Sequence, residues 1–209
     1  MSGTAIYSFS NMFNFHKEKG LTIIELIIII TLIAILPAIV ISDFGKIKKR
    51  FALSRVAYKF AQDVRHAQDM ALASKPYIDG LGQSQPVAGY GIYLSLTSPV
   101  LGKKKYITYA DRADGFNFDK KYMLSDYTIS TVDFSVDEPG IIIKETTNPF
   151  GSELSINFTP PKPITTITEL PFCQTPPCEG TIDVIFAIES DITETKTVSI
   201  NTSGLIEVK

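Results

Sequence analysis

The chain of 209 residues contains no tryptophan, two histidines (His16 and His66) and two cysteines (Cys173 and Cys178). So few histidines exclude a catalytic centre built around several of them. Two cysteines exclude a four-cysteine zinc site and a disulfide-rich framework. There is no excess of charge of either sign: 20 Lys and Arg stand against 22 Asp and Glu, for a net charge of -2. That balance gives no electrostatic reason to expect nucleic acid as a partner. No nucleophile elbow, phosphate loop or metal motif accompanies the serines and aspartates. The residues therefore read as a non-enzymatic protein with no cofactor.

Apolar content is present in excess, with a mean hydropathy of +0.14. It concentrates in residues 21–41, LTIIELIIIITLIAILPAIVI, where Glu25 is the one ionisable side chain. As a helix this run would be roughly 30 Å long, the thickness of a bilayer's hydrocarbon core. The length predicts a transmembrane helix rather than a strand, despite the β-branched residues. Pro37 removes one helical hydrogen bond and predicts a bend. The run is too long for a secretory signal core, and no small-residue cleavage site follows it.

The processing signal precedes the run instead. Lys17, Lys19 and Gly20 lead directly into Leu21, Thr22, Ile23, Ile24 and Glu25. This stretch resembles the type IV prepilin signal, in which a peptidase cuts after Gly and the fifth mature residue is Glu. The resemblance implies cleavage between Gly20 and Leu21, N-methylation of Leu21, and an assembly role for Glu25. Leu21 departs from the family's usual Phe or Met, and Pro37 falls at the seventeenth mature position rather than the common twenty-second. An unpaired carboxylate inside an apolar helix costs roughly 2.5–3.5 kcal/mol. Glu25 is therefore expected to pair with an α-amine at Leu21, its own or a neighbour's. A carboxylate that snorkels from the first helical turn to the lipid headgroups is the alternative.

Beyond residue 41 the helix is predicted to continue as an amphipathic one. Phe44, Ile47, Phe51, Val56, Phe60, Val64, Ala67 and Ala71 recur at helical spacing, and Pro76 marks the end. The basic cluster Lys46, Lys48, Lys49 and Arg50 outnumbers Lys17 and Lys19 in the leader. By the positive-inside tendency it would hold the head in the cytoplasm. The prepilin resemblance implies the opposite orientation, with the head outside.

From residue 86 onward, short β-branched and aromatic runs alternate with Gly, Pro, Asn and Asp. Strands are predicted at 90–96, 106–110, 127–134, 141–144, 154–158, 182–188, 197–200 and 205–208. The expected fold is thus α+β: a long N-terminal helix, transmembrane then amphipathic, packed on a mainly antiparallel sheet. The expected divisions are a leader (1–20), a transmembrane or filament-core helix (21–41), an amphipathic helix (42–76) and a globular head (77–209). The run from Phe60 through Asp63, Val64 and Arg65 to Ala71 also resembles the helix of H-type minor pseudopilins of type II secretion. Gly89, Gly91, Tyr93, Tyr109, Asp111 and the terminal Ser203-Gly204-Leu205-Ile206 fit that later pattern loosely. The implied partners are other pilin or pseudopilin subunits, the prepilin peptidase, an inner-membrane assembly platform and the lipid bilayer. The contrasting function is a non-assembling single-pass membrane protein whose head binds an extracellular ligand.

Two further clusters invite chemistry. Asp111, Asp114, Asn117 and Asp119 are oxygen ligands of the kind calcium favours. Their spacing misses the EF-hand pattern, so a polar hairpin tip is the expected reading and no metal is assigned. Cys173 and Cys178 enclose a short Pro-containing loop and are expected to form a disulfide outside the cytoplasm, worth roughly 2 kcal/mol. His66 is expected to be solvated or to face a neighbouring subunit, and Lys103, Lys104 and Lys105 to form a solvated loop.

Overall fold

The structure, a computed structural model, describes residues 20–113, 120–147, 152–161, 164–170 and 180–209; the side chains of 38–43 and 169–170 lie outside that description. The chain divides into two compact units, Met1–Phe44 and Gly45–Lys209.

Helix α1, Ile23–Leu72, is 50 residues long. Thr22 caps its start: its hydroxyl oxygen accepts a hydrogen bond from the Glu25 backbone N–H at 3.3 Å. At the other end Ser74 takes a positive φ of 46°. There the Ser74 N–H reaches the Ala71 carbonyl and the Lys75 N–H reaches the Met70 carbonyl. This is the paired terminal arrangement that satisfies the last carbonyls of a helix, with Pro76 following as a stop.

The expectation of a transmembrane half is overturned. Among the described residues, no helix is long and apolar enough to cross a membrane.

The unit from Gly45 onward is α+β with mainly antiparallel sheets. Residues of α1 supply its central stripe: Leu53, Val56, Ala57, Phe60, Ala61, Val64, Ala67 and Ala71 are buried. The small residues on this stripe bring the helix close to the sheets, and Phe60 supplies bulk. Its ring meets Tyr106 edge-on at 5.1 Å and Phe186 at 5.3 Å. Three of the expected core positions lie elsewhere: Phe44, Ile47 and Phe51 are exposed. Helical spacing identified an apolar face, but the sheets engage a face rotated away from those three residues.

A five-stranded sheet has the order β5-β4-β3-β7-β8, and a four-stranded sheet the order β11-β10-β9-β6. The first comprises β3 (Val87–Ser95), β4 (Lys105–Arg112), β5 (Tyr127–Asp133), β7 (Glu153–Thr159) and β8 (Ile164–Leu170). The second comprises β6 (Ile141–Thr146), β9 (Thr181–Ile188), β10 (Asp191–Asn201) and β11 (Ile206–Val208). A two-stranded ribbon, β1 (Tyr77–Ile78) and β2 (Ser84–Gln85), follows α1. A single turn of helix, α2 (Phe134–Asp137), follows β5 and is capped by Asp133.

All the expected strands form, within a few residues at their ends. Strand β8 was not anticipated: its threonines give little hydropathy contrast, yet Thr165, Thr166 and Thr168 are buried. Strand β10 begins at Asp191 rather than near 197 because Asp191, Thr195 and Lys196 pair with β9 on either side of a register irregularity. Register divides the five-stranded sheet into two faces. Tyr90, Ile92, Leu94, Leu154, Ile156 and Phe158 join the core with α1. The alternate positions carry Gly91, Tyr109, Ser155 and Asn157 on the other face.

Candidate functional site

Gly20 is exposed and Leu21 is 62% exposed just ahead of the first turn of α1. Glu25 lies in that first turn, three residues after the capping Thr22. Thr22-x-x-Glu25 is a capping-box spacing, and a carboxylate there complements the positive end of the helix dipole. Glu25 thus has a local structural role that reading it as an isolated apolar-segment charge did not reveal. Around it, Ile23, Ile24, Leu26, Ile27, Ile28, Ile30, Leu32 and Ile33 are all at least half exposed. Burying one such side chain contributes about 1.5–3 kcal/mol, so this surface favours association strongly.

The basic cluster at the start of the second unit meets the β9–β10 turn. The Lys49 ammonium donates to the Ser190 hydroxyl at 2.9 Å, and Arg50 forms an ion pair with Glu194. Asp191 is held below the usual carboxylate range, first by hydrogen bonds from Thr193 and then by the Arg50 and Lys46 charges. One turn further, Arg55 grips Glu138 through a fork, with Nε at 2.6 Å and Nη2 at 2.9 Å. Lys49 and Arg50, two of the charges that read as a topological signal in sequence, are therefore engaged with the β9–β10 turn.

A second constellation lies on the face of the five-stranded sheet turned away from α1. The Asn157 side chain, from β7, lies across β3 and donates to the Asp111 carboxylate on β4 at 3.1 Å. The Tyr109 hydroxyl and the Ser155 hydroxyl share a 2.7 Å hydrogen bond, and Ser155 also accepts from the Tyr122 N–H at 3.1 Å. Glycines make this crossing possible. A Cβ on Gly89 would lie 2.5 Å from Asn157 Oδ1, and one on Gly91 would lie 2.8 Å from the Tyr109 ring. The Gly-Tyr-Gly spacing is thus a packing requirement of a buried polar layer. Burial pushes the Tyr109 hydroxyl well above its ordinary range.

This placement revises one sequence expectation. Asp111 is buried on β4 rather than at a hairpin tip. Its proposed companions Asp114, Asn117 and Asp119 lie outside the described residues, as do Cys173 and Cys178 and the leader residue His16. Among the described residues, no group of three or more His, Cys, Asp or Glu could hold a metal ion. His66 is exposed on α1. The lysine run is not simply solvated: Lys104 pairs with Glu189 and Lys105 with Asp133, each at 2.9 Å.

Above the same face is an open cavity of about 640 Å³, lined by Tyr93, Leu101, Ile107, Tyr122, Leu124 and Glu153 among others. Tyr93 and Tyr122 stack at 4.5 Å. Burial, and secondly the nearby Glu153 charge, push the Tyr93 hydroxyl up to about 12. Among its described lining residues the cavity has mainly apolar walls and one carboxylate, Glu153.

No protein-family profile, curated protein or solved structure matches this chain.

Proposed function

We propose that this chain is a structural subunit of a type IV pilus or type II secretion pseudopilus, with a minor, H-type role. Prepilin peptidase removes residues 1–20, and the subunit assembles with other pilin-like subunits through the exposed apolar residues that follow. The β-rich unit then faces the periplasm or the cell surface as the head. The observation that carries this reading is the coincidence of Gly20, Leu21 and Glu25 with the start of a helix whose apolar side chains are exposed. Packing of such a helix among its neighbours satisfies both features: apolar contact covers the isoleucines, and the α-amine freed at Leu21 offers Glu25 a cation.

The experiment is mass spectrometry of the N-terminus of material from the native cell. A chain beginning at methylated Leu21 supports the proposal. A chain still beginning at Met1 removes it. The Tyr93–Tyr122 cavity gives a second reading some support, a head that binds an extracellular ligand without assembling. An unprocessed N-terminus is the outcome that reading expects.

A further inference from the structure

Two large open cavities lie in the unit from Gly45 onward, and they differ in how their charges are settled. The groove of about 530 Å³ beside α1 and α2 has its cations already matched, Arg55 with Glu138 and Lys59 with Asp63. The cavity of about 640 Å³ over the outer face of the five-stranded sheet is different. Glu153 is the one charged side chain among its described lining residues, and it forms no ion pair with another described residue. Lys121 lines an adjoining recess of about 20 Å³, with room for about one water, rather than the cavity itself.

The strands place this carboxylate against aromatic and aliphatic walls. Register sets Ile107, Tyr93 and Ser155 in one row across β4, β3 and β7. Glu153 is two residues from Ser155 on β7, so it points to the same face. Leu101, Ile107 and Tyr109 form a buried apolar cluster separate from the main core, and Tyr93 and Tyr122 pack against it. Val100 and Leu124 complete the walls and are exposed.

Charge complementarity selects the occupant. The Tyr93 hydroxyl hydrogen-bonds Glu153 and keeps its proton at neutral pH, so it adds no second negative charge. A carboxylate with one such donor still has acceptor sites for another. Tyrosine faces attract a cation as well, through the negative face of the ring. An anion would meet Glu153 with like charge. A neutral apolar molecule would remove water from the carboxylate without giving it a counter-charge. A bare metal ion would gain nothing from the leucine and isoleucine walls.

We propose that this cavity binds a small organic cation, one ammonium group on an apolar body, with the ammonium at Glu153 and the body against Tyr122, Leu101 and Leu124. The site lies wholly within the unit Gly45–Lys209. It therefore goes beyond the filament reading and holds whether or not the chain assembles.

The test compares three molecules of nearly the same shape: phenylbutylammonium, neutral phenylbutanol and anionic phenylbutyrate. Each is titrated calorimetrically into the full-length chain in nonionic detergent, with detergent alone as the blank. The expected result is one ammonium bound per chain, at least about tenfold more tightly than the alcohol, as one hydrogen bond to a charged group supplies. Phenylbutyrate should bind more weakly than either. Glu153→Gln keeps the size of the side chain and an acceptor for Tyr93. It should bring the ammonium down to the affinity of the alcohol and leave the alcohol unchanged. If Glu153→Gln alters the melting curve, Val100→Lys at an exposed position reads the same charge: it should weaken the ammonium and spare the alcohol. No ammonium binding, equal or tighter binding of the alcohol or of phenylbutyrate, or a preference for the ammonium that survives the folded variant overturns the proposal. The mass of the N-terminus decides the filament reading separately, so the two can fail independently.

Discussion

Replacing Tyr106 by Phe tests how the helix is held to the five-stranded sheet. The Tyr106 side chain is fully buried, with its ring 5.1 Å from Phe60 and 5.6 Å from Phe134. Its hydroxyl donates to the Asp63 carboxylate of α1 at 2.5 Å. Phe keeps the ring packing and removes only that hydrogen bond. A hydrogen bond to a charged group contributes about 1.5–3 kcal/mol. The lower end applies here, because the Asp63 side chain is 25% exposed and retains Lys59 at 3.4 Å. A loss of about 1.5 kcal/mol lowers the melting temperature by about 3–6 °C for a unit of this size. A cycle with Asp63→Ala isolates the coupling, expected at about 1–2 kcal/mol by urea denaturation followed by circular dichroism. Alkaline pH supplies an independent readout. Burial first, and Asp63 second, raise the Tyr106 pKa far above its ordinary value. The unfolded chain releases this proton near pH 10, while the folded chain retains it. Stability from this group is therefore complete below about pH 10 and falls as pH rises beyond it, by up to about 1.4 kcal/mol per pH unit. Tyr106→Phe should flatten that decline. A coupling below about 0.5 kcal/mol, together with an unchanged alkaline slope, would refute the clamp.

Three other outcomes follow from the same structure. Gly91→Ala should destabilise the β-rich unit by about 1–3 kcal/mol in thermal unfolding, since its Cβ would clash with the Ile156 carbonyl and the Tyr109 ring; a neutral result would show that the Asn157–Tyr109 layer is not tightly packed. Asp133 is held down to about 2, chiefly by the Ser135 hydroxyl and by Lys105. Its contribution is present above about pH 4 and is lost as pH falls towards 2, so Asp133→Asn should weaken the acid dependence of melting between those values. Under the filament proposal, Glu25→Ala should leave the melting of the head unchanged and abolish co-purification with sheared filaments; normal incorporation would exclude a register-setting role.

Much of the fold could be read from local pattern because local physics decides it. Alternating β-branched runs between Gly, Pro and Asn located most strands, and the stop near Pro76 follows from proline's missing donor. The processing reading of Gly20 and Leu21 likewise depends on contiguous residues alone. Strand β8 was invisible because threonine carries little hydropathy signal, and its burial comes from neighbours distant in sequence. The capping of α1 by Thr22 is open to sequence inspection through its spacing to Glu25, and the apolar context obscures it.

What sequence by itself determined here is the set of elements, their apolar content and their turns, since these depend on neighbours within a few residues. Tertiary structure alone decided which face of α1 is buried, leaving Phe51 exposed and enclosing Ala57. It also directed Lys49 and Arg50 to the β9–β10 turn. Register and packing between segments far apart in the chain set these outcomes, and no periodicity within a single segment encodes them.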